Sequence, residues 1–191
     1  MPVWQSIYEE INDPDFVLIC AAQDTGGETA ARPTFDAAKP TYVQVVDEGH
    51  LVSSAFNFVN VPSAAWIDEE SYIERIDEGT YAKVHELGAG DQTISFGTDV
   101  YGPALKDWVV NGAQSKHVES AARVVGNIRK RSKDQQKADA PFCLGNLFRR
   151  HGLGDKADLY WELAAKLNPD SINFIRQKLT LSEEGSAGEE F

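Results

Sequence analysis

The alternation of apolar and polar residues predicts helices and strands in turn along the first part of the chain. Residues 1–11 repeat apolar side chains at a spacing of four, which is the period of an amphipathic helix. Residues 16–20 are apolar throughout, and their number and β-branched content predict a strand buried on both faces, as in parallel sheets. Residues 25–38 then predict a helix, and residues 42–46 predict a second strand. This order is typical of an α/β fold.

Two strands are predicted after a loop that contains Pro62. Residues 51–58 predict a short helix, residues 64–67 a strand, and residues 72–76 a half-exposed antiparallel strand in which apolar and charged positions alternate. Residues 80–103 are rich in glycine and only weakly periodic, so we expect a long loop, with residues 93–96 as a candidate for one short strand. A helix over residues 104–110 completes the predicted α/β sandwich.

The pattern becomes purely helical in the last third of the chain. Apolar positions predict a helix that ends near residue 151, a second from residue 155, and a third after residue 169. Two helices joined by a glycine turn are typical of a helical-hairpin repeat, of which one unit is visible. We therefore expect a small helical domain over residues 113–181 that packs on the α/β domain, and a disordered acidic tail over residues 182–191.

The charge of the chain limits its function. Eighteen Lys and Arg against thirty Asp and Glu give a net charge of −12, which argues against binding to nucleic acid or to an anionic membrane surface. No apolar run approaches the roughly 18 residues of a membrane-spanning helix. Residues 123–156 oppose the trend, with nine basic and three acidic residues. We interpret its basic run at 129–133 as a solvated helix end or linker, with docking to an acidic partner or to the acidic part of the same chain as the alternative.

Few residues suggest a reactive thiol or a metal site. Cys20 and Cys143 form no Cys-x-x-Cys motif, and we expect each to be a buried small side chain rather than a reactive thiol. No metal-ligand spacing occurs among the four histidines, His50, His85, His117 and His151. The sequence therefore predicts no metal and no cofactor.

Two aspartates stand at the ends of predicted strands. Asp24 and Asp68 are candidates for a pair of carboxylates, although capping of turns and helices is the favoured role. Gly26 and Gly27 follow the first strand but lack the spacing of a nucleotide-binding loop.

Four segments together resemble the thioredoxin-like redoxin group. They read Met-Pro-Val-Trp-Gln at 1–5, Phe-Val-Leu-Ile-Cys-Ala-Ala-Gln-Asp at 16–24, Val61-Pro62, and Ala-Trp-Ile-Asp at 65–68. Their order and spacing are similar to the TlpA-like and alkyl-hydroperoxide-reductase/thiol-specific-antioxidant type. The resemblance implies a thioredoxin-like sandwich over residues 1–112, in which Pro62 is the family's cis-proline and Val61 and Pro62 contact the substrate. Residues 135–180 resemble, more weakly, a tetratricopeptide-type helical hairpin.

The resemblance implies thiol-based redox chemistry, with a protein thiol or disulfide partner or a hydroperoxide as substrate. In the family, the catalytic cysteine lies after a first strand and before the Met-Pro pair, whereas this sequence begins at that pair. Neither Cys20 nor Cys143 matches the family's nucleophile, so no catalytic residue is assigned. We expect the first strand and the catalytic motif to be missing, with a true start further upstream as the favoured explanation.

Two functions stay open at this point. One is a redox protein that is inactive as written, and the other is a non-catalytic thioredoxin-fold module that binds proteins.

The resemblance places the missing strand between the strands at 16–20 and 64–67, so a folded chain must pair these strands, cover the gap or borrow a strand. The compartment is cytoplasmic for the chain as written, or extracytoplasmic if an export signal lies upstream. The sequence does not predict the oligomeric state.

Overall fold

Short strand pairs alternate with helices through the protein, a mixed architecture that agrees with the α/β class. The computed structural model describes residues 2–89, 92–97, 99–171 and 173–175. In chain order the elements are α1 (Pro2–Ile11), β1 (Ile19–Ala22), α2 (Gly27–Ala38), β2 (Val43–Val46), α3 (Leu51–Phe56), β3 (Ser63–Ile67), β4 (Ile73–Glu78), β5 (Val84–Ala89), β6 (Gln92–Gly97), α4 (Tyr101–Asn111), α5 (Ala121–Asn127), α6 (Lys133–Lys137), α7 (Asp139–Arg150) and α8 (Gly154–Leu167). The acidic tail predicted at 182–191 lies outside the described residues.

The strands form three separate pairs, β1–β2, β3–β4 and β5–β6. The first pair is parallel, because the backbone N–H of Val43 donates to Leu18 and that of Asp47 donates to Ala22, so both partners advance in the same direction. Helix α2 supplies the crossover that a parallel pair requires. The pairs β3–β4 and β5–β6 are antiparallel.

Two predictions about strands were wrong. The segment at 16–20 is not buried on both faces, since Val17 and Ile19 are each 63% exposed. The reason is that, within the described part of the chain, one face of β1 and β2 is left bare. The segment at 80–103 is not mainly a loop, because β5 and β6 pair from Val84 opposite Gly97 to Ala89 opposite Gln92. The short strand expected at 93–96 is confirmed, since it lies within β6. Backbone hydrogen bonds hold this hairpin. The prediction of a loop relied on the weak alternation of apolar and polar side chains, on which these hydrogen bonds do not depend.

Contacts divide the chain into two compact units, and each unit combines segments that are not consecutive. Unit 1 comprises Met1–Cys20, Thr34–Gln44 and Asn60–Ile128, and unit 2 comprises the remaining segments, Ala21–Pro33, Val45–Val59 and Arg129–Phe191. The sequence-based domains followed the order of the chain, with boundaries at 112 and 181. That division stays a prediction.

The core of unit 1 is built around an indole. Trp66 of β3 is 3% exposed and donates its Nε1–H to the Tyr101 hydroxyl of α4 at 2.8 Å. The ring of Trp108 stacks on Trp66 with centroids 5.2 Å apart, and the Arg75 guanidinium lies 5.0 Å from the Trp66 ring centroid. Ile7 of α1 is buried in the same cluster. Trp66 therefore joins β3 to α4, in a cluster to which α1 contributes Ile7.

The core of unit 2 depends on a close contact between α7 and α8. Phe142, Ala157 and Ala164 are buried there, and Trp161 donates its Nε1–H to Asn146 Oδ1 at 2.9 Å. A Cβ atom on Gly145 would lie 2.4 Å from Cδ1 of Trp161. Glycine is therefore required at position 145, because its missing side chain makes the space that the indole fills.

This contact gives a first prediction. We expect Gly145→Ala to lower the free energy of unfolding by about 1–3 kcal/mol, the usual cost of overpacking a core, as measured by urea denaturation followed by circular dichroism. Gly126→Ala in α5 is the matched control. No atom lies within 4 Å of its added Cβ, and alanine favours a helix, so this change should be neutral or stabilising. Equal destabilisation by the two substitutions would contradict the argument.

Candidate functional site

The proline loop that the resemblance singled out lies at the start of β3. The Val61–Pro62 peptide bond is cis. The carbonyl of Pro62 accepts hydrogen bonds from the backbone N–H groups of Gly79, at 2.8 Å, and Thr80, at 3.0 Å. Val61 and Pro62 are both half-buried. The end of β4 therefore fixes the backbone of this loop, while contact of Val61 and Pro62 with a substrate stays a prediction.

Neither cysteine is in an environment that favours a thiolate. Cys20 lies within β1, and burial raises the pKa of its thiol. Cys143 lies on α7, where its Sγ donates to the carbonyl of Gly49 at 3.2 Å. Burial raises the pKa of Cys143, and the carboxylates of Asp139 and Asp47 raise it further. Because the thiolate is the nucleophile, both side chains are poorly suited to redox catalysis.

The two candidate aspartates cap turns, which was their favoured role. Asp24 Oδ1 accepts from the backbone N–H of Gly26 at 2.8 Å. Asp68 Oδ1 accepts from the backbone N–H of Tyr72 at 2.7 Å. Each carboxylate is therefore used locally, as the short-range sequence signals predicted.

His50 is the centre of a polar cluster in unit 2 that the sequence did not predict. The residue is 5% exposed, its Nδ1 lies 3.0 Å from the amide nitrogen of Gln23, and its ring meets Phe142 edge-on with centroids 5.1 Å apart. Asp47 caps α3 by accepting from the backbone N–H groups of Leu51 and Val52. Three distant segments of the chain thus meet at one imidazole.

The ring of His50 is held in its neutral form. Burial lowers its pKa to about 4, although the carboxylates of Asp47 and Asp139 act in the opposite direction. The amide nitrogen of Gln23 can only donate, so Nδ1 accepts and the proton of the neutral ring lies on Nε2. Nε2 is buried and has no hydrogen-bond partner within the part of the chain that is described. His50 is therefore suited to joining segments rather than to transferring protons at neutral pH.

The other histidines stand on other elements of the chain. His117 is half-buried in unit 1, where its carbonyl accepts from Arg75, and His151 is exposed at the end of α7. His85 lies in β5. Across the described ranges, no group of three or more His, Cys, Asp or Glu side chains is arranged to hold a metal ion.

A bare apolar face on β1 and β2 is the second feature that sequence reasoning missed. Val17 and Ile19 are each 63% exposed, and Val43 is 50% exposed. The parallel register places Val43 opposite Ile19, and side chains two residues apart share a face, so the three lie together on one side of unit 1. We call these three residues the β1–β2 face. Parallel strands normally have both faces covered.

One edge of β1 is open as well. The carbonyls of Leu18 and Ala22 accept from β2, so the backbone N–H and C=O of Ile19 point to the opposite side. The sheet has two strands, and no described strand pairs with that second side. Unit 1 therefore presents an open strand edge next to exposed Val and Ile side chains.

No family model, curated protein or solved structure matches this chain. No helix among the described residues combines the length and the apolar character that crossing a membrane requires. The class that can be stated is a mixed α/β protein, and the thioredoxin-like resemblance stays a prediction.

The buried imidazole gives a prediction about pH. Because folding lowers the pKa of His50 from 6.5 to about 4, its neutral form is the one compatible with the fold. Its contribution to stability is complete above pH 6.5 and is lost as the pH falls from 6.5 towards 4. The loss is about 3 kcal/mol, from 1.36 kcal/mol for each pKa unit.

We expect His50→Gln to make the free energy of unfolding less dependent on pH over this window, even if the variant is less stable at pH 7. His151→Gln, which changes an exposed histidine, should keep the wild-type dependence. The measurement is urea denaturation at half-unit steps of pH. Parallel pH profiles for the wild type and His50→Gln would show that the imidazole is not the group that titrates.

Proposed function

We propose that this chain is a thioredoxin-like protein-interaction module that binds an extended segment of a protein partner without thiol chemistry. The observation that carries the proposal is the β1–β2 face together with the open edge of β1. A third strand at that edge would form backbone hydrogen bonds with Ile19 and place its own side chains beside Val17 and Ile19.

The order of the elements supports the thioredoxin-like part of the proposal. A parallel β1–α2–β2 unit is followed by the proline loop, the antiparallel pair β3–β4 and helix α4. This is the order that the resemblance implies for residues 1–112. The additional hairpin β5–β6 stands between β4 and α4.

The state of the two cysteines supports binding without chemistry. Thiol catalysis needs a thiolate, often at a helix N-terminus, where the helix dipole lowers the pKa. Cys20 lies inside a strand, Cys143 lies within α7 and donates to a carbonyl, and the pKa of each is raised. A redox function would need the opposite shift.

Stability supports a strand as the occupant. A two-stranded sheet is only marginally stable by itself, and a third strand adds both hydrogen bonds and apolar contact. Complete burial of one Val or Ile side chain contributes about 1.5–3 kcal/mol. Val17 and Ile19 are each 63% exposed, so a third strand would bury apolar surface of both side chains.

The proposal can be tested with a fluorescein-labelled octapeptide in which Val alternates with Thr. We expect saturable binding by fluorescence anisotropy, and we expect loss of binding when alternate peptide nitrogens are methylated, because strand addition needs those N–H groups. Ile19→Asp should weaken binding at least about tenfold, through loss of apolar contact. Val110→Asp is the matched control, since Val110 of α4 is 80% exposed and lies outside the β1–β2 face.

The thiol alternative is tested in the same experiment. Cys20→Ser and Cys143→Ser should leave peptide binding unchanged, and the chain should not reduce insulin disulfides or a hydroperoxide. Binding that fails in both serine variants, or equal binding of the methylated peptide, would contradict the proposal. A dimer in sedimentation experiments that Ile19→Asp dissociates would identify a second copy as the occupant instead.

A further inference from the structure

Two leucines on α8 of unit 2 face solvent. Leu159 is 64% exposed and Leu163 is 46% exposed, and they lie about one turn apart on the helix. The opposite side of α8 carries Ala157, Trp161 and Ala164, which are buried with Phe142 of α7 in the core of this unit. The two leucines are therefore turned away from the core that α8 helps to form.

Leu144 of α7 adds to this apolar surface. It is 38% exposed and lies one turn before Phe148, whose ring meets that of Tyr160 on α8 with centroids 5.3 Å apart. The chain reverses direction between α7 and α8, so a residue one turn before Phe148 is level with a residue one turn after Tyr160. Leu144 and Leu163 therefore lie on the same side of the helix pair. We call Leu144, Leu159 and Leu163 the leucine strip.

Opposite charges stand at the two ends of α8. Asp155 lies in its first turn and Lys166 in its last turn, and both side chains are exposed. Each residue of an α-helix advances by about 100°, so these two charges and the two leucines of α8 lie within about 80° of one another around the helix. The exposed face of α8 thus carries an acid, two leucines and a base in that order.

A face with this order is complementary to itself in the antiparallel orientation. When two copies of α8 cross a two-fold axis at the level of Trp161, Leu159 of each copy faces Leu163 of the other. With a rise of 1.5 Å per residue, Asp155 is about 9 Å from the axis and Lys166 is about 7.5 Å from it on the other side. The acid of each copy therefore meets the base of the other, at both ends of the contact.

We infer that a second copy of this chain covers the leucine strip, through an antiparallel contact between the two α8 helices. The contact uses the same surface on both copies, so it closes at a dimer. The leucines supply apolar contact, and the pairs of Asp155 with Lys166 fix the orientation, because a parallel arrangement would bring like charges together. The inference does not rest on the proposed function, since it uses side chains of α7 and α8 and not the open edge of β1.

The charges of α8 have a second role inside one copy. An acid near the start of a helix and a base near its end interact favourably with the helix dipole. That role stabilises the isolated chain but predicts no association. The net charge of −12 opposes the approach of two copies, so we expect a weak and reversible dimer, as small interfaces give.

Sedimentation equilibrium of the whole chain tests the contact, at about 0.15 M salt, where the Debye length of about 8 Å screens the net charge. We expect a reversible equilibrium between monomer and dimer. Leu159→Gln together with Leu163→Gln should raise the dissociation constant of the dimer at least about tenfold, because both copies lose apolar contact. Val110→Gln is the matched control, since Val110 of α4 is 80% exposed and lies outside the leucine strip.

Charge exchange tests the orientation. Asp155→Lys alone, or Lys166→Asp alone, should weaken the dimer, because each places like charges at both ends of the contact. The double variant should regain wild-type association, since it restores opposite charges at both ends. A role in the helix dipole alone predicts that the double variant is the least stable of the three by urea denaturation, with no change in association. Glu162 lies one residue past the axis, near its own copy, so Glu162→Gln should strengthen the dimer.

The outcomes identify what covers the leucine strip. A chain that stays monomeric from about 1 µM to about 1 mM overturns the inference, as does a dimer that the two leucine substitutions leave intact. A dimer that Ile19→Asp dissociates would assign the second copy to the β1–β2 face and would overturn it too. Weak association of the exchanged double variant would contradict the antiparallel orientation. Peptide binding by the Leu159→Gln, Leu163→Gln chain should match the wild type, so failure of the dimer and failure of the proposed function are distinguishable.

Discussion

The parallel pairing of β1 with β2 is the constraint on which the rest of the structure depends. A parallel pair cannot close with a tight turn, so α2 must carry the chain from the end of one strand to the start of the next. It also requires apolar cover, which Tyr8 of α1 begins to supply by meeting Tyr42 edge-on at 5.7 Å. The opposite side has no such cover, and Val17, Ile19 and Val43 remain in contact with solvent. The uneven cover of this one pair creates the surface that we propose binds a partner.

The sequence predicted the helices and capped turns, which depend on residues close together in the chain. The helices α1, α7 and α8 follow the spacing of apolar residues, and Asp24 and Asp68 cap the turns in which they lie. Of the hairpin β5–β6, the sequence predicted a short strand at 93–96, within β6, but not β5, because the residues of β5 show no clear alternation of apolar and polar side chains. The bare face escaped prediction because the run at 16–20 shows only that apolar residues are present, and not whether another element covers them.

The cluster at His50 could not have been predicted for a related reason. Its partners are Gln23, 27 positions earlier, and Phe142 on α7, and nothing in the residues around His50 identifies either. The low pKa follows from burial by these distant segments. The basic stretch at 123–156 is similar: Arg150 pairs with Glu48 at 3.5 Å, and Arg131 pairs with Asp139. Part of that positive charge is thus used inside unit 2, while docking to an acidic partner or to the acidic part of the same chain stays a prediction.

An open strand edge is a hazard as well as a binding site, because it offers the same hydrogen bonds to any extended chain, including a second copy. Native proteins commonly protect such an edge with charges beside it, with a bulge or with a covering element. Under the proposed function, a bound segment of a partner would be that cover, since it would pair with the backbone N–H and C=O of Ile19. Such binding would need no thiol chemistry, since it would depend on backbone hydrogen bonds to Ile19 and on apolar contact with Val17 and Ile19. A module of this kind would keep its function when neither cysteine can form a thiolate.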